Sequence, residues 1–488
     1  MYATFIQPRR QVTMNKDGMK KGFLKLNFPF ADKILFEALS KVMDSKLVDG
    51  ILLQTGTVEK RKRMLPARIV VFLVIAMTLF AKKSLPEVLN ILVEGLRIQG
   101  AYLLGAALPV KSALSQARQR LGVKPLVALF RVLAHPIARL DQAWAFYKGL
   151  RLMAIDGISL ALPDTPENER FFGRPGAGRG KAAWPVASVI ALIEIGTRLT
   201  VDAFVGRYKT SEQSAAVRLM RSLTTGMLLM WDRAFVGYTL WNEALKHGAH
   251  LLGRLKSNMI FKPIQTLADG SFLAKLYPNP YSRKKDQGGI LVRIIEYTIT
   301  NPSLPGFGEK HRLITSLLNA ELYPAKELIV LYHERWEIEL EFDEIKTHMI
   351  GKTPTLRSKT PLGVLQEIYG LLIAHMTVRT LMAEAASKWD LDPDRLSFTG
   401  ALQVISRAIP RMQAAKTALL PVVYDMMLDE IASQLNPPRR NRINPRVIKQ
   451  KMSNFKCKRQ EHYKIRQPQT SFQEAIYVLN PTFRTSGL

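Results

Sequence analysis

Between residues about 30 and 145, apolar residues recur at intervals of three and four, punctuated by Pro66, Pro86, Gly105 and Pro109. That period belongs to amphipathic helices and predicts a helical N-terminal region. The most apolar run, "IVVFLVIAMTLFA", covers residues 69–81. It falls short of the ~20 residues a membrane span needs, so it reads as a buried core helix. "VKSALSQARQRLG" (110–122) reads as a helix with Ser112 as its cap and Gly122 as its stop. Arg118 and Arg120 lie on it, and it is either a DNA-contacting helix or an ordinary solvated one.

From residue 149 the pattern changes. "LRLMAIDGISLAL" reads as a strand with a turn-prone Asp156-Gly157, and 184–195 and 198–206 are β-branched runs that form a hairpin over Gly196. Residues 211–223 read as a helix capped by Ser211, "GMLLMWD" (226–232) as a short buried strand, and 240–248 as a helix closed by Gly248. Strands alternating with helices predict an α/β core around a mixed sheet. Residues 251–323 carry short β-like runs and loops rich in Pro, Gly and Lys, which predicts a β-rich insertion. Helical periodicity returns at Pro324, and 361–434 reads as further helices.

The charge narrows the partner. Lys and Arg number 70 against 40 acids, a net +30. Such a surface suits a polyanion, nucleic acid first and an anionic membrane surface second. The tail at 437–466 is densely basic, with Glu461 its one acid, and is expected to order on a polyanion. A single cysteine, Cys457, excludes an internal disulfide framework. The N-terminus lacks the apolar core of a signal peptide, so a soluble, cytoplasmic protein is expected. "GRPGAGRGKAA" (173–183) lacks the spacing of a phosphate loop and reads as a flexible basic loop.

Carboxylates remain as candidate chemistry. Asp156 and Asp232 sit at predicted strand ends, where each alone is most simply a turn or cap residue. Two such aspartates and a third carboxylate would suffice for a two-metal phosphoryl-transfer site. The acidic stretch "LYHERWEIELEFDEIKTH" (331–348) can supply the third. On a helical wheel with Tyr332 at 0°, Arg335, Glu339 and Lys346 fall at about 300°, 340° and 320°. Leu331, Ile338, Phe342 and Ile345 form the adjacent apolar stripe, and Glu334, Glu337, Glu341 and Glu344 fall on what reads as a solvated face. Glu339 lies beside the buried stripe among cations, and Asp343 remains a rival by geometry. Arg335 and Lys346 would hold phosphates there, and Tyr332 could donate to a phosphate oxygen.

The spacing Tyr332-x2-Arg335-x3-Glu339-x6-Lys346 resembles the YREK signature of bacterial DDE transposases of the insertion sequence 4 family. "RWEIELEFDEIK", including Trp336 and Phe342, is similar to that family, as are "LSQARQRLG" and "INPRVIKQKMSNF". Asp156, followed by Gly157, resembles the first catalytic aspartate, and Asp232 in "WDRAF" the second. The resemblance implies an RNase H-like core interrupted by the insertion, with a helical N-terminal domain and a helical, basic C-terminal region. It divides the chain into a DNA-binding domain (1–145), a first core part (149–250), the insertion (251–323), a second core part with the Glu helix (324–375) and the C-terminal helices and tail (376–488).

It further implies that Asp156, Asp232 and Glu339 are catalytic and hold Mg²⁺ as two ions, with Mn²⁺ as a substitute. The reaction implied is strand cleavage at element ends and strand transfer into target DNA. Double-stranded DNA (terminal inverted repeats and target) is then the partner, bound by a homodimer in a synaptic complex at the bacterial nucleoid, with no membrane. Relatives cut through a DNA hairpin and can stack a Trp of the insertion on a flipped base. No Trp lies in 251–323 here, which leaves Tyr277, Tyr281 or Phe272 to stack. A non-catalytic repressor derived from a transposase, or a cellular nuclease on the same core, are the alternatives.

Overall fold

The apolar run after Pro66 folds as a helix whose surface is covered on almost every side, as an unbroken apolar pattern requires. The computed structural model describes residues 45–59, 61, 65–98, 109–177, 180–302, 304, 306–332, 335, 337–351, 355–436, 448–449, 456–457 and 472–480. Most of the basic tail lies outside these residues, as do Glu334 and Trp336.

The N-terminal part is helical: α1 (Ser45–Gln54), α2 (Ala67–Leu79), α3 (Leu85–Ile98), α4 (Lys111–Leu121) and α5 (Lys124–Leu133). Helix α4 begins directly after Val110, so Ser112 lies within its first turn and is not its cap. Gly122 ends it at φ +68°, a conformation that glycine takes without steric cost. Helix α2 packs against the long helix Pro361–Lys388, where Gly370 lets the backbones meet. A Cβ at Gly370 would stand 2.9 Å from the Val74 side chain and 3.0 Å from the Val74 carbonyl.

The core sheet is built from β1 (Leu150–Ala161), β2 (Val186–Glu194), β3 (Leu199–Arg207), β4 (Met227–Trp231) and β5 (His250–Arg254). Helices α6 (Glu212–Leu219), capped by Ser211, and α7 (Tyr238–Lys246) join the later strands. Four more strands follow: β6 (Gln265–Thr266), β7 (Phe272–Leu276), β8 (Ile290–Ile299) and β9 (His311–Thr315). The order across the sheet is β3-β2-β1-β4-β5-β9-β8-β7-β6. The hairpins β1/β2 and β2/β3 are antiparallel, and β1/β4 and β4/β5 are parallel. The first five strands thus make the mixed sheet of an RNase H-like core.

Two features differ from the sequence reading. No turn occurs at Asp156-Gly157: β1 runs straight through, and Asp156 pairs with Ala191 in mid-strand. The strands of 251–323 extend the core sheet itself, and the 250/251 division falls inside β5. A C-terminal strand, β10 (Ile476–Val478), pairs with β8.

The chain then returns to the core through α8 (Ala325–Tyr332), α9 (Glu337–Asp343) and a π-helix at Glu344–Ile350. Helices α10 (Pro361–Lys388), α11 (Phe398–Ala414) and α12 (Leu420–Ala432) complete it. Helix α10 is long and apolar enough to cross a membrane, but 78% of its most apolar stretch is buried inside the protein. One apolar cluster on each face covers the sheet: Ala154, Ile158, Met230 and Leu252 belong to one, Met153, Ile155, Trp231 and Leu251 to the other.

Candidate active site

Strand register brings the two aspartates together. The parallel ladder between β1 and β4 ends at Ile155 opposite Trp231. Asp156 and Asp232 are the next residue on each chain. Side chains alternate along extended backbone, and Ala154 and Met230 face one cluster while Ile155 and Trp231 face the other. Asp156 and Asp232 therefore project side by side on the α10 face. A Cβ at Gly157 would lie 2.8 Å from Ile190 Cδ1. Trp231 is fully buried and packs edge-on against Trp241 at 5.6 Å.

The acidic segment crosses this edge. The Tyr332 hydroxyl donates to the Trp231 carbonyl at 3.1 Å, and its ring is buried. Tyr332 is thus an anchor beside Asp232, which corrects its reading as a phosphate donor. Arg335 is 5% exposed. Its Nη1 reaches Asp156 Oδ2 at 3.4 Å and its Nη2 reaches Glu339 Oε1 at 3.1 Å. Glu339 keeps 42% of its side chain exposed. Lys346 is exposed on the π-helix.

Electrostatics agree with the geometry. Burial pushes the Asp156 carboxyl up to about 6; Glu339 and Asp232 push the same way, while the Gly157 N–H (2.7 Å) and Arg335 oppose. Asp156 feels both of the other carboxylates, and the Arg335 guanidinium lies between it and Glu339. Among the described residues no group of three His, Cys, Asp or Glu side chains is drawn together closely enough to hold a metal ion as it stands. The donor set is nevertheless all hard oxygen, and crowded carboxylates are what a divalent cation relieves. Asp343, the rival, accepts from Thr347 Oγ1 at 2.6 Å and lies 3.9 Å from His348 Nε2, within its own segment.

Other readings are corrected. Arg118 donates to Gln366 Oε1, Ser358 Oγ and the Gly363 carbonyl at 3.0–3.1 Å, so it ties α4 to the start of α10 instead of facing DNA. Arg120 stays exposed. Glu341 and Glu344 are not on a wet face: they are 0% and 5% exposed. Thr200 donates to Glu341 at 2.6 Å, and Arg198, His375 and Arg379 surround Glu344. Burial pushes Glu341 up to about 8. Phe272 is buried and cannot stack on a base, Tyr277 donates to Asp286, and Tyr281 is 63% exposed with Lys285 over its ring. The loop at 173–183 holds a short hairpin, with Arg174 paired to Asp164 and Glu169.

Arg254 was missed. It follows Gly253, which pairs with Trp231, and its parity with Leu252 turns it to the same face as Asp232. It also lies near enough to Tyr332 to affect its ionisation. A basic residue closing an apolar strand is the only signal the sequence offered.

A mixed sheet with two aspartates at the end of its parallel ladder and a glutamate brought over from a helix defines the DDE class of DNA-processing enzymes. Family models agree: one for the insertion element 4 transposase N-terminal region matches residues 33–131, and one for the transposase DDE domain matches 147–377. The transposase InsG of insertion sequence element IS4 from Escherichia coli (strain K12) is 32% identical over 431 residues, covering 85% of this chain and 92% of that protein. The putative transposase InsZ of the same organism is 28% identical over 176 residues, covering 36% of this chain and 56% of that protein. A piggyBac transposase synaptic complex with hairpin DNA superposes at a TM-score of 0.40, with 11% identity over 83% of each chain. The chain belongs to the IS4 family of DDE transposases. It is an insertion-sequence transposase, an enzyme that acts on DNA and depends on divalent metal.

Proposed function

We propose that Asp156, Asp232 and Glu339 are the catalytic carboxylates and hold two Mg²⁺ ions, for which Mn²⁺ substitutes. The observation that carries this reading is Arg335, which reaches both Asp156 and Glu339 at the edge where the ladder also sets Asp232. When bound, the ions activate the attacking oxygen and stabilise the leaving one. The chain's own residues do the rest. Tyr332 pins the segment to the carbonyl preceding Asp232. The Arg335 fork and the exposed Lys346 ammonium hold phosphate oxygens of the substrate strand. Water attacks phosphorus at the element end, the bond to the 3′ oxygen breaks, and a 3′-OH is freed. That 3′-OH then attacks a target phosphorus in strand transfer, and the bond from that phosphorus to the target strand's own 3′ oxygen breaks, leaving a target 3′-OH.

We propose further that two copies of the chain hold paired terminal inverted repeats and target DNA as a homodimer in a synaptic complex. The test compares Glu339→Gln with Asp343→Asn on end DNA. Glu339→Gln should keep end binding and lose metal-dependent nicking, while Asp343→Asn keeps both. Full nicking by Glu339→Gln rejects the assignment.

A further inference from the structure

The segment that carries Glu339 is fixed at both ends. At its start Tyr332 binds the Trp231 carbonyl. At its end α9 widens into the π-helix Glu344–Ile350. Such wide turns are rare and cost hydrogen-bond geometry, so a local contact has to hold them. The first residue of this one is Glu344.

Glu344 is held from two other elements. From α10, Arg379 Nε donates to Oε2 at 2.9 Å, a second Arg379 nitrogen donates to Oε1, and His375 Nε2 lies 3.0 Å from Oε2. From the β2–β3 turn, Arg198 Nη1 donates to Oε1 at 2.9 Å. Arg198 takes a left-handed φ of +52° there and also pairs with Asp394 at 2.8 Å. Phe398 lies under the cluster, with its ring 5.3 Å from the His375 ring and 5.6 Å from the Arg379 guanidinium. Burial alone would raise the Glu344 carboxyl, but Arg379, His375 and Arg198 outweigh it and hold it down at about 2.

Stability does not explain the cluster. Apolar side chains of similar volume commonly hold a core as well as buried ion pairs do, or better. What an ionic fork adds is direction: it fixes rotation and height, where apolar packing tolerates sliding. Here that precision falls five residues after Glu339 and two before Lys346.

We infer that Glu344 is a positioning residue: its contacts with Arg379, His375 and Arg198 set the height and rotation at which Glu339 and Lys346 meet the Asp156–Asp232 edge. The inference rests on the proposed role of Glu339 as an ion-holding carboxylate. Loss of the Glu344 charge leaves the segment in place by its apolar residues Ile338, Phe342 and Ile345, but frees its register.

The experiment uses the full-length protein bound to end DNA. Glu344→Gln is compared with wild type and with Glu296→Gln, which removes a largely buried carboxylate paired with Arg312 and the exposed Lys310 in the extended part of the sheet. Mn²⁺ affinity is measured by calorimetry, together with the Mg²⁺ concentration for half-maximal nicking. Glu344→Gln should weaken Mn²⁺ binding at least tenfold and raise the Mg²⁺ requirement in step. Glu296→Gln should lower the melting temperature and leave both metal readouts at wild type. Wild-type Mn²⁺ affinity in Glu344→Gln, or a shift shared equally by Glu296→Gln, overturns the inference. If Glu344→Gln does not fold, Arg198→Lys is read the same way, with a smaller shift in the same direction. Glu339→Gln in the same series reports separately on the underlying assignment, because nicking by that variant would reject the ligand role itself.

Discussion

Replacing Glu341 by Gln should stabilise the protein at neutral pH and flatten its pH dependence. Glu341 is fully buried, and burial raises its carboxyl from 4.5 to about 8. Between those values the folded chain keeps a proton that the unfolded chain releases. Rising pH therefore favours unfolding throughout the window, at about 1.4 kcal/mol per unit, or about 5 kcal/mol across it and about 3 kcal/mol by pH 7. Gln carries no such proton and removes the whole slope.

The amide also fits. Thr200 Oγ1 can donate to the Gln oxygen as it does to Glu341 at 2.6 Å. His375 turns Nε2 toward the Glu344 carboxylate, and its Nδ1 lies 3.9 Å from Glu341 Oε1 with no hydrogen-bond partner among the described residues. With the Gln oxygen at the Oε1 place, its nitrogen takes the place of Glu341 Oε2, which has no hydrogen-bond partner among the described residues, so the exchange breaks no bond. Urea denaturation of wild type and Glu341→Gln at pH 4.5, 6, 7 and 8 measures the difference. The variant should match wild type at pH 4.5 and exceed it by about 3 kcal/mol at pH 7. A variant less stable at pH 7, or a difference independent of pH, refutes the reasoning.

Four further substitutions separate anchors from DNA contacts. Tyr332→Phe deletes the bond to the Trp231 carbonyl and should cost about 1–2 kcal/mol of stability and lower nicking, with end binding intact; weaker DNA binding at unchanged stability would mean that the hydroxyl meets phosphate. Arg118→Ala should destabilise the fold by about 1–3 kcal/mol in denaturation, because three buried acceptors lose their donor. Arg120→Ala should leave stability alone and reduce the salt dependence of end binding by about one ion; equal effects of the two arginines on DNA affinity would contradict this division. Arg254→Ala should slow single-turnover nicking about 10–100-fold without loss of end binding, as expected for one charged hydrogen bond of about 1.5–3 kcal/mol; an unchanged rate removes Arg254 from the site.

The local pattern carried much of this structure. An unbroken apolar run marked α2, helical periodicity marked α4 and α10, and β-branched runs marked the β2/β3 hairpin. The polar spacing around Glu339 pointed to one carboxylate, which the structure sets against Arg335 and Asp156. The errors share a cause: they depend on partners distant in the chain. A single wheel from Tyr332 treats 332–348 as one regular helix, yet α8 closes at Tyr332, α9 opens at Glu337 and the backbone winds as a π-helix from Glu344. Glu341 and Glu344 looked wet because acids usually are. Only Thr200, Arg198, His375 and Arg379, all remote in sequence, make their burial tolerable. Arg118 looked like a surface cation for want of sight of Gln366 and Ser358. Asp156-Gly157 looked like a turn because that dipeptide favours one, but pairing with Ala191 and Ile190 keeps it extended.

The central claim is that Asp156, Asp232 and Glu339 meet metal together. The direct measurement is anomalous diffraction from crystals of the protein with end DNA and Mn²⁺. Manganese peaks should stand about 2.0–2.3 Å from carboxylate oxygens of all three residues, with Arg335 turned to a phosphate. Peaks bonded to Asp343 in place of Glu339, or Glu339 left on Arg335 with the ion elsewhere, would contradict it.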